Sequence, residues 1–300
     1  MKDNLEKIRK LPLVLEARRV FLKEISNNLV PELFKKAKKS NRNIFVYKII
    51  YKSQGHKVVG YIIEPSKGKK LPNIIWNRGG SNNIGAIKLG QLFTKIAKFA
   101  EHGYITIATQ YSGGGGSEGR DEFGGSDIKD VLNLYKILKG YKRSDISNIG
   151  MYGISRGGLM TYLSLARVKW IKAAVVISAP TDQLSAVKFR EGWKQHQIKM
   201  YGGSLKESKK RSPIFWIKKF NKKTPLLIMH GSADWRVNPK DSILLAEKLY
   251  KKKIPYRLII FEGGDHALSE YSKARNKYAF EWFDRFLKKE KLPLLVPHGK

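Results

Sequence analysis

Two hydrophobic periods alternate along this chain. Over the first 43 residues, Leu5, Ile8, Val14, Leu15, Phe21, Leu22 and Ile25 recur at roughly helical spacing among Lys, Arg and Glu, which predicts helix. Pro31 suits the first turn of a second, shorter helix that runs from Glu32 to Lys39. The period then shortens. Residues 43–51 and 56–64 are apolar runs flanking Ser53-Gln54-Gly55, the pattern of an antiparallel hairpin. A polar turn at 65–70 leads into 72–76, whose apolar character is that of a buried strand.

From there, helical stretches (86–101, 126–139, 157–167, 239–252, 272–288) alternate with short apolar runs (104–108, 149–152, 173–177, 226–229, 256–261). Strands apolar on both faces, alternating with helices, imply an α/β fold with a mostly parallel central sheet covered on both sides. The hairpin makes that sheet mixed at its N-terminal edge. Between Thr181 and Lys223 the alternation lapses into a helical, aromatic-bearing insertion with Trp193, Tyr201 and Trp216. The expected organisation is an N-terminal helical extension (1–42), a catalytic-type α/β domain (43–290) with the cap-like insertion at 181–223, and a short tail (291–300).

Composition narrows the class. At 300 residues and 42% hydrophobic, the chain can bury a full core despite a net charge of +34. Lysine supplies 44 of the 59 basic residues. Readers of nucleic acid lean on Arg for bidentate contacts, so the charge fits a solvated lysine coat better than a nucleic-acid partner. Lysine is absent from 71–87, 99–128, 143–168, 224–239 and 254–272, the windows that hold the strand ends described next. The lysines at 209, 210, 218, 219, 222 and 223 form the one cluster expected beside a site entrance, where it could steer an acidic substrate. With no cysteine, disulfides, thiolate metal sites and a Cys nucleophile are excluded. No apolar run approaches the roughly 20 residues of a membrane span, and the N-terminus lacks a signal peptide's apolar stretch, so a cytoplasmic protein is expected. Nothing in the sequence indicates an oligomeric state.

The chemistry sits at strand ends. Gly153-Ile154-Ser155-Arg156-Gly157, followed by Gly158, lies between a strand and a helix. In that context Gly-x-Ser-x-Gly is a nucleophile elbow, with the hydroxyl projecting over a helix N-terminus. A serine nucleophile needs a base, and the base needs an orienting acid. Asp234 and His266 each stand five residues beyond the end of a later apolar run, in the chain order Ser, Asp, His. His230 has the wrong offset for the base and is expected to pack beneath the acid loop. Oxyanion donors are expected from the Arg156 N–H and from the paired-glycine loop Asn77-Arg78-Gly79-Gly80-Ser81, chiefly the Gly79 N–H. Trp193, Tyr201, Trp216 and Trp235 are candidates to line a substrate pocket, or equally to be core. The chemistry calls for no metal or cofactor.

The chain resembles α/β-hydrolases of the prolyl oligopeptidase family, close to the catalytic domains of acylaminoacyl peptidases and dipeptidyl aminopeptidases. The match is carried by residues 113–131, by the elbow at 153–158, and by the acid and base loops at 224–237 and 263–266. Ser212-Pro213 adds to it. The resemblance implies a serine hydrolase working through an acyl-enzyme on a small peptide or ester. Two departures qualify it. Arg78 stands at the oxyanion loop, where the family often presents a Tyr. Its guanidinium is open to three roles: oxyanion donor, substrate-carboxylate ligand, or salt bridge to a nearby acid. No β-propeller precedes the catalytic segment within this sequence, which gives weight to a carboxylesterase alternative. A catalytically dead scaffold that binds nucleic acid or an anionic surface is the alternative of another class.

Overall fold

The short apolar runs pair as strands of one sheet: β1 (Val14–Arg19), β2 (Ile44–Ser53), β3 (His56–Pro65), β4 (Leu71–Asn77), β5 (Ile105–Thr109), β6 (Ser144–Ile154), β7 (Ile171–Ile177), β8 (Leu226–Gly231) and β9 (Tyr256–Phe261). In this computed structural model, which describes residues 3–28 and 30–288, their order is β1-β2-β3-β5-β4-β6-β7-β8-β9. The pairings from β5 to β9 are parallel, and those among β1, β2, β3 and β5 are antiparallel. This is the α/β-hydrolase architecture, with the expected hairpin joined at Gln54-Gly55.

Because successive strand residues face opposite sides, each apolar run feeds two cores. Ile75, Met151 and Val176 pack with Val131, Leu134 and Leu138 of the helix Ile128–Gly140 and with Leu159 and Leu163 of the helix Arg156–Leu165. Their neighbours Ile74, Tyr152 and Val175 face the other way, against Phe99, Trp282 and Phe283. Parallel strands all deliver their C-terminal ends to one edge. The loops after β4, β6, β8 and β9 therefore meet there.

The N-terminal segment differs from expectation. Residues 14–19 are not helix; they form β1, paired antiparallel with β2 from Val14↔Tyr51 to Arg19↔Tyr47. Pro12 ends the first short helix, Leu5–Arg9, because its ring cannot continue the hydrogen-bond ladder. Leu13 then turns the chain at φ 67°, and the free edge of β2 offers a ladder that local helical spacing does not reveal. Ile8 is fully buried and Leu11 nearly so, within the same core as β2. Asn4 donates its backbone N–H to the Tyr47 hydroxyl (3.0 Å) and its Nδ2 to Glu64 (2.9 Å). Glu64 is fully buried and is also held by Tyr141 and Arg143. The helix Pro31–Ser40 appears as expected. The 291–300 tail lies outside the described residues.

An Ile8→Ala substitution removes a fully buried side chain and should lower stability by about 2–5 kcal/mol, measured by urea denaturation. A change within about 0.5 kcal/mol, the range of ordinary surface substitutions, would show that the segment is not part of the folded core.

Candidate active site

The turn after β6 holds Ser155 at φ 57°, ψ −126°, a conformation that costs free energy in an L-residue. Its backbone is fixed on both sides. Ser155 N–H donates to Ile177 O (2.8 Å), and Ser155 O accepts from Gly158 and Leu159 N–H (2.9 and 3.1 Å). Two glycines make the turn possible. A Cβ on Gly153 would collide with the Gly157 carbonyl, and one on Gly157 with the Asn77 carbonyl. The elbow is thus pressed against the end of β4 as well as against itself.

His266, on the loop after β9, points its Nε2 at Ser155 Oγ (2.9 Å) and its Nδ1 at Asp234 Oδ2 (2.8 Å). Asp234, on the loop after β8, is buried. Its Oδ1 accepts the backbone N–H groups of Arg236 (2.8 Å) and Val237 (3.0 Å). His230 lies beneath, with Nε2 3.0 Å from Asp234 Oδ2 and 3.1 Å from Val237 O. Both of those neighbours are acceptors, so Nε2 carries the proton and Nδ1 accepts from Ser242 Oγ (2.7 Å). Burial alone would raise the Asp234 pKa. The hydrogen bonds from His230, His266 and Val237 outweigh it and hold the carboxyl well below its ordinary range. An ionised Asp234 accepts from Nδ1–H of His266 and leaves Nε2 as the acceptor facing the serine.

Gly79 lies flat against the nucleophile: a Cβ there would sit 3.2 Å from Ile154 O and 3.5 Å from Ser155 Cβ. The Arg156 N–H, at the first position of its helix, has no intrahelical partner. Arg78 takes none of the three roles open to it in the sequence. Its guanidinium is fully buried and donates to the carbonyls of Gln110 (2.7 Å), Asn82 (2.8 Å), Gly79 (3.1 Å) and Ile84 (3.3 Å). The side chain organises the loop after β4 from within, its donors spent on those carbonyls. Burial and the nearby Arg156 charge lower its pKa to about 10.

A feature missed in the sequence is the side chain of Arg156. It is buried, donating through Nη1 to Gly80 O (2.9 Å) and Asp121 Oδ2 (2.5 Å) and through Nη2 to Asp127 Oδ2 (2.5 Å). Tyr111 and Phe123 flank it at 4.7 and 5.1 Å. Asp121 also accepts from the N–H groups of Asn82 and Phe123. Despite burial, the Arg156 charge and these hydrogen bonds keep the Asp121 pKa low. Burial and the neighbouring carboxylates push Asp127 up to about 6 in spite of Arg156. One available signal was that a lysine-free, glycine-rich window holds these acids.

The cleft above Ser155 has a volume of about 210 Å³, and Phe123, Trp193, His196, Arg190 and Arg236 are among its walls. Of the four aromatic candidates, Trp193 is in place. Tyr201 packs under Arg211 at 4.2 Å, bordering a different depression. Trp216 donates to Lys209 O and carries Lys219 over its ring, while Trp235 is 69% exposed. Within the insertion, only residues 190–193 and His196 border the cleft, so Tyr201 at the end of the helix Trp193–Tyr201 and Trp216 beyond the helix Leu205–Lys210 fall away from it; Trp235, on the loop after β8, faces water. The insertion lysines do not border it either; its cations are arginines.

A strand-to-helix serine elbow on a mostly parallel sheet, with a histidine and a buried aspartate on later strand ends, is the layout of an α/β-hydrolase serine enzyme. A model of the prolyl oligopeptidase family matches residues 91–290, two thirds of the chain. The protein therefore belongs to that family and is a serine hydrolase of the peptidase type. An uncharacterized peptidase of Bacillus subtilis (strain 168), YtmA, is 28% identical over 214 residues, covering 70% of this chain and 81% of that protein. Among solved structures, Pyrococcus horikoshii acylaminoacyl peptidase superposes with a TM-score of 0.74 at 24% identity, over 87% of this chain and 44% of that one. This chain thus spans less than half of that peptidase. An acetyl xylan esterase from Paenibacillus sp. R4 superposes with a TM-score of 0.67 at 12% identity, over 92% and 90% of the two chains.

Replacing Arg156 with Met would leave two buried carboxylates without their cation. A loss of about 3–5 kcal/mol in chemical denaturation is expected, and a variant as stable as wild type would remove the network from the site's framework.

Proposed function

We propose that the protein cleaves acyl bonds through an acyl-enzyme on Ser155, with His266 as general base and acid and Asp234 as its orienting partner. The observation that carries this reading is the unbroken hydrogen-bond chain from Asp234 Oδ2 through both nitrogens of His266 to Ser155 Oγ. Ser155 Oγ attacks the acyl carbonyl as its proton passes to His266 Nε2. The resulting imidazolium is stabilised by Asp234. The oxyanion of the tetrahedral intermediate is received by the N–H groups of Arg156 and Gly79, which need little reorganisation because the elbow and the loop are already fixed against each other. His266 then gives its proton to the leaving amine or alcohol. Water repeats the sequence in reverse to release the acid.

A cleft of about 210 Å³ suits a short peptide or small ester, since pockets for drug-sized ligands are roughly 300–1,000 Å³. The peptidase assignment of the family favours an amide substrate. The same Asp234–His266–Ser155 chain can protonate an alcohol leaving group as well as an amine, and turnover distinguishes the two.

Wild type should be labelled covalently by a fluorophosphonate probe, and Ser155→Ala should not. Asp234→Asn should keep the fold but lower kcat by about 10³- to 10⁴-fold, because the amide no longer selects the productive His266 tautomer. Steady-state rates on p-nitrophenyl esters, acyl-peptides and aminoacyl-p-nitroanilides check both points. Labelling that persists in Ser155→Ala, or wild type that refuses the probe beside a reactive control, would overturn the proposal.

A further inference from the structure

The basic character of the chain becomes specific at the cleft. Arg190 and Arg236 both border the cleft over Ser155, and both border a smaller recess of about 30 Å³ that opens beside it. They arrive from unrelated segments: Arg190 from just past the helix Gln183–Phe189 of the insertion, and Arg236 from the acid loop two residues after Asp234. Four arginines with more deeply buried side chains are neutralised or capped within the protein. Arg156 has two aspartates, Arg143 has Glu64, Arg211 has Glu122 and Glu207, and Arg78 has four carbonyls. Among the described residues, neither Arg190 nor Arg236 makes an ion pair. Each has an aromatic face beneath its guanidinium, Trp193 at 5.0 Å and Trp235 at 5.7 Å.

Among the described residues the acids nearby form no ion pair with the two cations, although the Asp234 charge favours charged Arg190 through space. Asp234 is engaged by two histidines and two backbone N–H groups. Asp241, in the wall of the recess, accepts from the N–H groups of Thr181 and Asp182. Glu191 is at the rim and exposed to water. His196, stacked on Trp193 at 4.6 Å, adds a buried Nε2 with no hydrogen-bond partner. Two like charges bordering one open cleft repel each other, and a bound anion would relieve that repulsion. Guanidinium forks are suited to carboxylate, which they bind bidentately.

We infer that Arg190 and Arg236 form an anion subsite beside Ser155, and that the preferred substrates of this hydrolase are short molecules carrying a carboxylate near the scissile bond. The inference rests on the serine-hydrolase reading. The carboxylate has two possible sources: an acidic side chain on the acyl side, or the free C-terminus of a short leaving group.

Matched substrates separate them. In the first arm, glutamyl- and glutaminyl-p-nitroanilide are compared. In the second, N-acetyl-dialanine is compared with its C-terminal amide. The ratio of kcat/KM for the anionic over the neutral member should be about tenfold or more in at least one arm. It should fall toward one in Arg190→Gln combined with Arg236→Gln, fall partway in each single variant, and shrink as salt is raised to about 0.5 M. A wild-type ratio at or below one in both arms overturns the subsite while leaving the hydrolase reading intact, provided the neutral substrates turn over or the fluorophosphonate labels Ser155. Failure of turnover and labelling together overturns both. A high ratio unchanged in the double variant would assign the preference to other residues.

Discussion

The buried guanidinium of Arg156 is the interaction on which the rest of the site depends. Its backbone N–H faces the place where an oxyanion would form, while its side chain reaches behind the elbow to Asp121, Asp127 and the Gly80 carbonyl. Three chain segments are thereby held together: the nucleophile turn, the loop after β4 and the glycine-rich stretch before the helix Ile128–Gly140. Burying a cation without partners would be costly, so the two carboxylates have to be present for the elbow to pack at all. Arg78 performs a related task with carbonyls in place of carboxylates, gathering the oxyanion loop around a second buried guanidinium. The strained backbone of Ser155 is sustained by this surrounding rigidity.

Charge is partitioned by residue type. Lysine, with its compact and strongly hydrated ammonium, is absent from the windows that build the catalytic edge. Arginine enters those windows, because its planar head can stack on Tyr111 or Phe123 and distribute its charge over several hydrogen bonds. The net charge of +34 therefore describes mainly the exterior. What the site senses is a few arginines, some neutralised internally and two facing the cleft.

The sheet's parallel half and its helices were legible in the sequence because both are written in local period. An uninterrupted apolar run such as 226–229 has few alternatives to a buried strand. Ser155, Asp234 and His266 were legible for a related reason: each follows a strand closely, and parallel strands must bring their C-terminal ends to one edge. His230 was assigned to its place under the acid loop by its offset alone. The N-terminal segment was misread because Val14, Leu15 and the residues that follow take their conformation from β2, a partner some thirty residues away, and a helical-looking spacing carries no record of an open sheet edge.

Sequence by itself determined the α/β-hydrolase class, the order of the elements from β2 onward and the three candidate residues at the strand ends. It did so because periodicity and strand–loop boundaries are properties of short segments. Only the tertiary structure decided which way each long side chain points. Arg156 turns inward to acids 29 and 35 residues earlier, and Arg78 turns to its own loop. Trp193 turns to the cleft while Trp216 and Trp235 do not, and Arg190 and Arg236 both border the cleft over Ser155. Those directions follow from the paths of loops and from the burial of charge. Both arise only once distant parts of the chain are packed against one another.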